Sequence, residues 1–523
     1  MAIELARSLL KIDQLVGEGS SQVLVGDDIV VPDAKPDIKK VLDIRGNVVV
    51  KGYDVIQDRV MAEGIIQYSI LYIGDKEEQP ISAMEAETGF TQYLEIAGVK
   101  PKMSAKLKAD LEHIDFDILN SRKINIKAVL NLDAQVSQPV QMEAVQDFKE
   151  PDDVQVLKEK IRVQSSAGEG STQTMFREDL ELPDNMPSVE LILRKDARVR
   201  IVDKKAADNK VIVHGELVLG ILYLCAEENE PIHYFSQEIP FTHFVEIQGA
   251  YQGMPCEAEA EVREIFVDPK ENINDERRIL DIEAVLALRA QVFETDDLDI
   301  VVDAYSPSAD LELKKKNVSI KQIVGENQVQ NLIKQDISFP NNIPQASRIL
   351  YADVKGTVTD QAIIDGKVIV EGILTADIIY QFEDEKLQIH SYKEEIPFRQ
   401  GVEIAGIDEK MDCYSQLSID QVHYNLIAPD EVELRVLVGI KAAAYRTVDK
   451  EILLGAEITE KKTGPSGGIY IYFVKAGDSL WSIAKRYNTT VANILKYNAL
   501  EDQENLVPGS KLIIYKKYDY KVS

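Results

Sequence analysis

Histidine and cysteine are the residues best able to hold a metal or act as nucleophiles, and this 523-residue chain spaces its six histidines and three cysteines so that none has company. His113, His214, His233, His243, His390 and His423 form neither HxxxH nor HExxH, the spacings that put two imidazoles on one helical face around zinc. Each reads as a surface or strand-edge residue. Cys225, Cys256 and Cys413 form no CxxC pair. Cys225 follows an apolar run and reads as a small buried hydrophobe. Carboxylate pairs such as Glu227-Glu228 or Asp296-Asp297 could in principle do acid and base work. With 89 acidic residues such neighbours arise freely, so a solvated face is the better reading. There is no GxxxxGK[ST], no GxGxxG opening a helix and no GxSxG elbow. The expectation is a protein that is not an enzyme, with no catalytic residue, no metal site and no cofactor.

The elements around these residues belong to a large acidic protein. With 59 basic against 89 acidic residues the net charge is -30, which opposes binding of nucleic acid through the general field. No run approaches the roughly 18 apolar residues of a membrane span. Glu4 and Arg7 interrupt the apolar amino-terminal stretch, so it lacks the core of a signal peptide. With so few cysteines, a reducing, cytoplasmic location is expected. A single core rarely grows beyond roughly 250 to 300 residues, so several domains are expected.

Self-comparison shows what those domains are. Shifts of 151 and then 157 residues superpose the P-x-x-x-P segments that begin at Pro32, Pro183 and Pro340. They also superpose Gly64, Gly215 and Gly372; Tyr72, Tyr223 and Tyr380; Phe90, Phe241 and Phe398; and Glu95, Glu246 and Glu403. Cys256 and Cys413 coincide too, which marks a shared structural position. The register slips by five residues only near each copy's end, as a loop of variable length would cause. Copies at 1–150, 151–307 and 308–455 are each long enough to be a domain. Their dominant period is two: Ile124, Ile126, Ala128, Leu130 and Leu132 fall on one face, with Asn and Lys between them, although Val129 breaks the alternation. The expected fold is mainly β, with three tandem homologous sandwich or barrel-like domains in series. Such a row would be long and multivalent, and exposed sheet edges could support self-association. The stretches at Ile192-Leu193 and Ile349-Leu350 fit either a short helix or a strand.

A linker at 456–468, rich in Gly, Pro and charge, leads to a small unit at 469–517, with a tail at 518–523. From residue 470 onward eight basic residues face five acidic ones, so a weakly basic tip sits on an acidic body. A strand at 470–474, a turn, a helix opening at Ser479, a second helix after Thr489 or Thr490 and a strand at 511–515 give the order βααβ. The residues V474-x-x-G477-D478-S479-L480-W481-x-I483-A484-x-R486-Y487, N498-x-L500 and L506-x-P508-G509-x-x-L512-x-I514 resemble a LysM module. The resemblance implies a shallow groove for peptidoglycan or other N-acetylglucosamine polymers, walled by Gly477, Asp478, Ser479, Leu480 and Trp481 and by Asn505, Leu506, Val507, Pro508 and Gly509. For Trp481, the only tryptophan, packing at a core or edge is placed ahead of stacking on sugar. Asn498 reads as a buried turn-former.

The repeats, with their P-x-x-x-P segments and the related stretches at 238–249 and 395–406, together with the terminal LysM, resemble clostridial-type spore coat and envelope morphogenetic proteins. In these, DUF3794 (SipL/SPOCS-like) repeats precede a LysM. The first copy departs from the pattern, with Thr88-Gly89 where Ile239-Pro240 and Ile396-Pro397 stand later. The resemblance implies a scaffold made in the mother-cell cytoplasm and recruited to the forespore surface. There its LysM would dock a spore coat basement-layer ATPase, with other coat proteins as further partners. The alternative is a cell-wall protein that binds peptidoglycan glycan strands.

Overall fold

The computed structural model describes residues 3–75, 81–150, 152–226, 231–382, 388–461, 467–498, 500 and 506–516. The first copy contains six strands, β1 (Glu4–Val30), β2 (Ile38–Ile56), β3 (Arg59–Gly74), β4 (Ile81–Glu95), β5 (Ser104–Asn120) and β6 (Lys123–Glu150). They form two antiparallel sheets ordered β1-β6-β5 and β2-β3-β4. The second copy repeats this with β7 (Gln155–Glu181), β8 (Leu191–Ala207), β9 (Lys210–Leu224), β10 (Ile232–Glu246), β11 (Cys256–Glu271) and β12 (Arg277–Tyr305). The third does so with β13 (Ala309–Ser338), β14 (Ala346–Ile364), β15 (Lys367–Phe382), β16 (Gln388–Glu403), β17 (Asp412–Ala428) and β18 (Glu431–Lys461). The undecided segments at 192–193 and 349–350 are strand. The slip of register is the longer turn Asn272–Glu276 between β11 and β12.

Alternation along β6 sends Ile124, Ile126, Ala128, Leu130 and Leu132 into a core shared with Ile66, Ile70 and Leu94 of the other sheet. The second and third copies enclose equivalent cores. The repeated residues have structural jobs. The hydroxyl of Tyr72 donates to the Pro36 carbonyl at 3.0 Å, and those of Tyr223 and Tyr380 donate to Pro187 and Pro344 at 3.1 and 2.8 Å. Each therefore anchors the proline turn to the middle strand of its sheet. Gly64 faces Phe90 across the ladder, and a Cβ there would lie 2.6 Å from the ring. The same glycine–phenylalanine contact recurs at Gly215 and Phe241 and at Gly372 and Phe398.

The expected row of separate bodies is replaced by a closed arrangement. Leu42, Leu193 and Leu350 occupy equivalent positions, as do Leu71, Leu222 and Ile379, and Ile81, Ile232 and Ile389. All nine are buried in one cluster where the three copies meet around a common axis. Farther along the molecule the long strands β1, β6, β7, β12, β13 and β18 run past their own cores. There Leu10, Ile161 and Val318, again equivalent, pack together with Ile12, Val163 and Ile320. Val145, Val301 and Leu453 close a third layer. Strands of 27 to 31 residues, far longer than the usual 5 or 6, are accounted for by this double duty. The sheet edges expected to be open also lie against one another, with β2 beside β5 and β1 beside β4.

The ladder of β18 with β13 continues to Lys461, so residues 456–461, expected as linker, are strand. Residues 462–466 of that stretch and the tail at 518–523 lie outside the described residues, as does the pair Glu227-Glu228. Asp297 of the other acidic pair is bound on the surface by Arg162 at 2.7 Å.

Candidate functional site

The last unit consists of β19 (Gly468–Phe473), α1 (Leu480–Arg486), α2 (Val491–Lys496) and β20 (Lys511–Lys516), with β19 and β20 antiparallel. Ser479 caps α1 by accepting from the Ser482 amide, while the Ser482 side chain accepts from the Ser479 amide. Thr490 caps α2 through the Asn493 amide. Tyr472, Val474, Leu480, Ile483, Ala484, Ile494, Leu512 and Ile514 form the core. Asn498 accepts from the Ile513 amide and donates to the Ile494 and Ile513 carbonyls, each at 2.7 Å, which ties the turn after α2 to β20.

Two loops stand side by side at the end of this unit. Val474 donates to the Ser510 carbonyl at 2.9 Å and Gly509 donates to the Val474 carbonyl at 2.7 Å. Gly477 and Gly509 have φ of 85° and 88°, a left-handed conformation that disfavours side chains and keeps both walls low. Lys475, Ala476, Gly477 and Ser479 are exposed on one side, and Val507, Pro508 and Gly509 on the other. Asp478 turns inward, accepting from the Tyr472 hydroxyl at 2.6 Å and the Lys475 amide at 2.8 Å. The Tyr472 hydrogen bond is the chief reason its carboxyl lies below the ordinary value.

The ten residues expected to line a groove are thus distributed unevenly. Gly477, Ser479, Val507, Pro508 and Gly509 are exposed on the two loops. Leu480 is buried, Leu506 packs partly on the core, and Asn505 lies outside the described residues. Trp481 points elsewhere: its indole N–H donates to Asp303 at 2.8 Å and its ring meets Tyr305 edge-on at 4.9 Å, both residues being at the end of β12. Lys485 also binds Asp303 at 2.7 Å, and the Tyr305 hydroxyl donates to the Thr489 carbonyl at 2.8 Å. Burial alone would raise the Asp303 carboxyl, but the bonds from Lys485 and Trp481 outweigh it and hold it low. Burial pushes the Tyr305 phenol up to about 12.

A second surface of this unit went unread in the sequence. Along β19 the side chains alternate, so Tyr472 faces the core while Ile469, Ile471 and Phe473 face out, 71%, 55% and 61% exposed. Ile513, the ladder partner of Ile471, lies on the same outer face. The signal was the run IYIYF, apolar on both alternating sets, with only one small core to fill.

The axis of the repeats carries a cluster of buried charge. Arg45 donates to Asp43, Asp196, Asp353 and the Tyr351 hydroxyl at 3.2, 3.3, 2.9 and 2.8 Å. Arg194 donates to Asp43 at 2.8 Å, and Tyr351 donates to Asp196 at 3.1 Å. Residues 43, 194 and 351 are equivalent, as are 45, 196 and 353, so this cluster joins every pair of copies. Burial opposes ionisation of Asp43, but Arg194, Arg45 and Lys393 prevail and hold its carboxyl far below the usual range. The cluster is a packed structural joint. Among the described residues no group of three or more His, Cys, Asp or Glu is placed to hold a metal, and no helix is long and apolar enough to cross a membrane.

A family model described as the SipL, SPOCS domain matches residues 37–119, 188–270 and 345–427, and a LysM domain model matches 472–514. Each SPOCS match runs from the start of the second strand of a copy to the end of its fifth, within three residues of these points, leaving the long first and sixth strands outside it. No curated protein matches the chain, and no solved structure does. SPOCS and LysM domains are non-catalytic and fit a scaffold or adhesion role. Three mutually packed SipL/SPOCS domains followed by a C-terminal LysM domain give this chain the architecture of a SipL-like spore-coat protein.

Proposed function

We propose that this protein is a spore-envelope assembly scaffold of the mother-cell cytoplasm, recruited to the forespore surface, whose LysM domain docks a coat basement-layer ATPase and so supports encasement by the coat. The observation that carries the reading is the outer face of β19 and β20. Ile469, Ile471, Phe473 and Ile513 form an apolar strip on a two-stranded sheet, a surface suited to burial against protein and not to a solvated glycan chain. The weakly basic tip on an acidic body also favours an acidic partner surface reaching the LysM first. Other coat proteins are expected to bind the repeats.

The low walls at Lys475–Gly477 and Val507–Gly509 remain exposed and keep a second reading in view, binding of peptidoglycan through backbone hydrogen bonds. The full chain, immobilised, is to be offered the purified coat ATPase in one channel and peptidoglycan in another. Saturable capture of the ATPase, lost in an Ile471→Asp/Phe473→Asp variant that retains its fold, is the expected result. Saturable glycan binding with no ATPase capture would reverse the assignment.

A further inference from the structure

The LysM domain leaves the third copy through residues 462–466 yet rests on the second. Its contact there is made of matched parts. The Asp303 side chain is only 17% exposed and receives the Trp481 indole and the Lys485 ammonium together. Lys315, from β13 of the third copy, lies 3.6 Å from the same carboxylate, which places the contact at the seam between copies. Tyr305 packs its ring on Trp481, joins the LysM core cluster, and spends its hydroxyl on the Thr489 carbonyl.

No other copy offers these groups. The ladders make Asp147, Asp303 and Gly455 equivalent, and likewise Glu150, Tyr305 and Glu457. Asp147 is already taken by Lys158 at 2.6 Å, and a glutamate in place of Tyr305 supplies neither an aromatic face nor a hydroxyl donor. The geometry points to an interaction surface built into the second copy, Asp303 with Tyr305, whose partner is the LysM of the same chain. Trp481 is the plug of this seat, a positioning residue held by Asp303 and Tyr305. Seated in this way, the LysM keeps its two loops and the apolar face of β19 and β20 turned to solvent in one fixed orientation. A tethered head would sample many. The inference does not depend on which partner the LysM binds, because the seat is complete without one.

Trp481 is the only tryptophan, so the fluorescence of the full chain, excited at a wavelength that its tyrosines do not absorb, reports this seat alone. The wild-type protein is expected to emit at short wavelength and to resist quenching by acrylamide. Asp303→Ala/Tyr305→Ala removes hydrogen bonds to a charged group together with the ring contact, and should shift the seated-to-released ratio by roughly tenfold or more. Emission then moves to longer wavelength and quenching rises, while Asp147→Ala, at the equivalent place in the first copy, leaves the signal at its wild-type value. Lys485→Glu changes an exposed LysM residue outside the core and should release the seat as well, which separates release from misfolding of β12. A wild-type Trp481 as quenchable as a free tryptophan derivative, or an unchanged signal in both seat variants, would overturn the proposal.

Discussion

Asp43 is 4% exposed and depends on two guanidiniums from two different copies. Removing one member of a buried ion pair leaves its partners charged and desolvated, a loss of about 3–5 kcal/mol. Asp43→Ala is therefore expected to lower the free energy of unfolding, measured by urea titration, by that much, whereas Arg7→Ala, which breaks an exposed pair with Glu143, should change it by under about 1 kcal/mol. The pH dependence follows from the sign of the shift. The Asp43 carboxyl titrates lower in the folded than in the unfolded chain, so its contribution is fully present above roughly pH 4 and is lost as pH falls toward the folded value. Acid unfolding should start at higher pH in Asp43→Asn than in the wild type, with less stability left to lose below pH 4. None of this was legible in the sequence. Asp, Arg and Tyr at equivalent positions look like drift between copies until the fold gathers them into one cluster with hydrogen bonds of 2.8 to 3.3 Å.

At the scale of the element, much could be read in advance. Period-two runs, the repeated glycine and tyrosine, and the helix caps at Ser479 and Thr490 each have a local cause that leaves a local trace. Strand length does not. The outer halves of β1, β7 and β13 alternate like any half-buried strand, and what buries Leu10, Ile161 and Val318 is the other copies, which no local pattern names. The LysM core was legible for the same local reasons, and it gives a clean test. Leu480→Asp places an unpaired charge among Ile483, Ala484 and Leu512, so the LysM should unfold while the repeats keep theirs. Differential scanning calorimetry should show the main transition retained and the LysM contribution gone. Loss of the main transition would mean that the small unit is a keystone of the whole.

The molecule as a whole is joined by three buried layers shared among copies, and this governs its size and cooperativity. Small-angle scattering should give one compact particle, nearer the roughly 24 Å radius of gyration of a 523-residue globule than the larger value of domains in a row. Leu222→Asp, which leaves the second copy's own core intact but charges the shared cluster, should expand the particle and split unfolding into separate steps. The same joining has a further consequence. A homotrimer must repeat every side chain three times around its centre, so an aspartate there confronts two more aspartates. Here one polypeptide spells out each corner separately, and acid, guanidinium and phenol can face one another where true symmetry would set like against like.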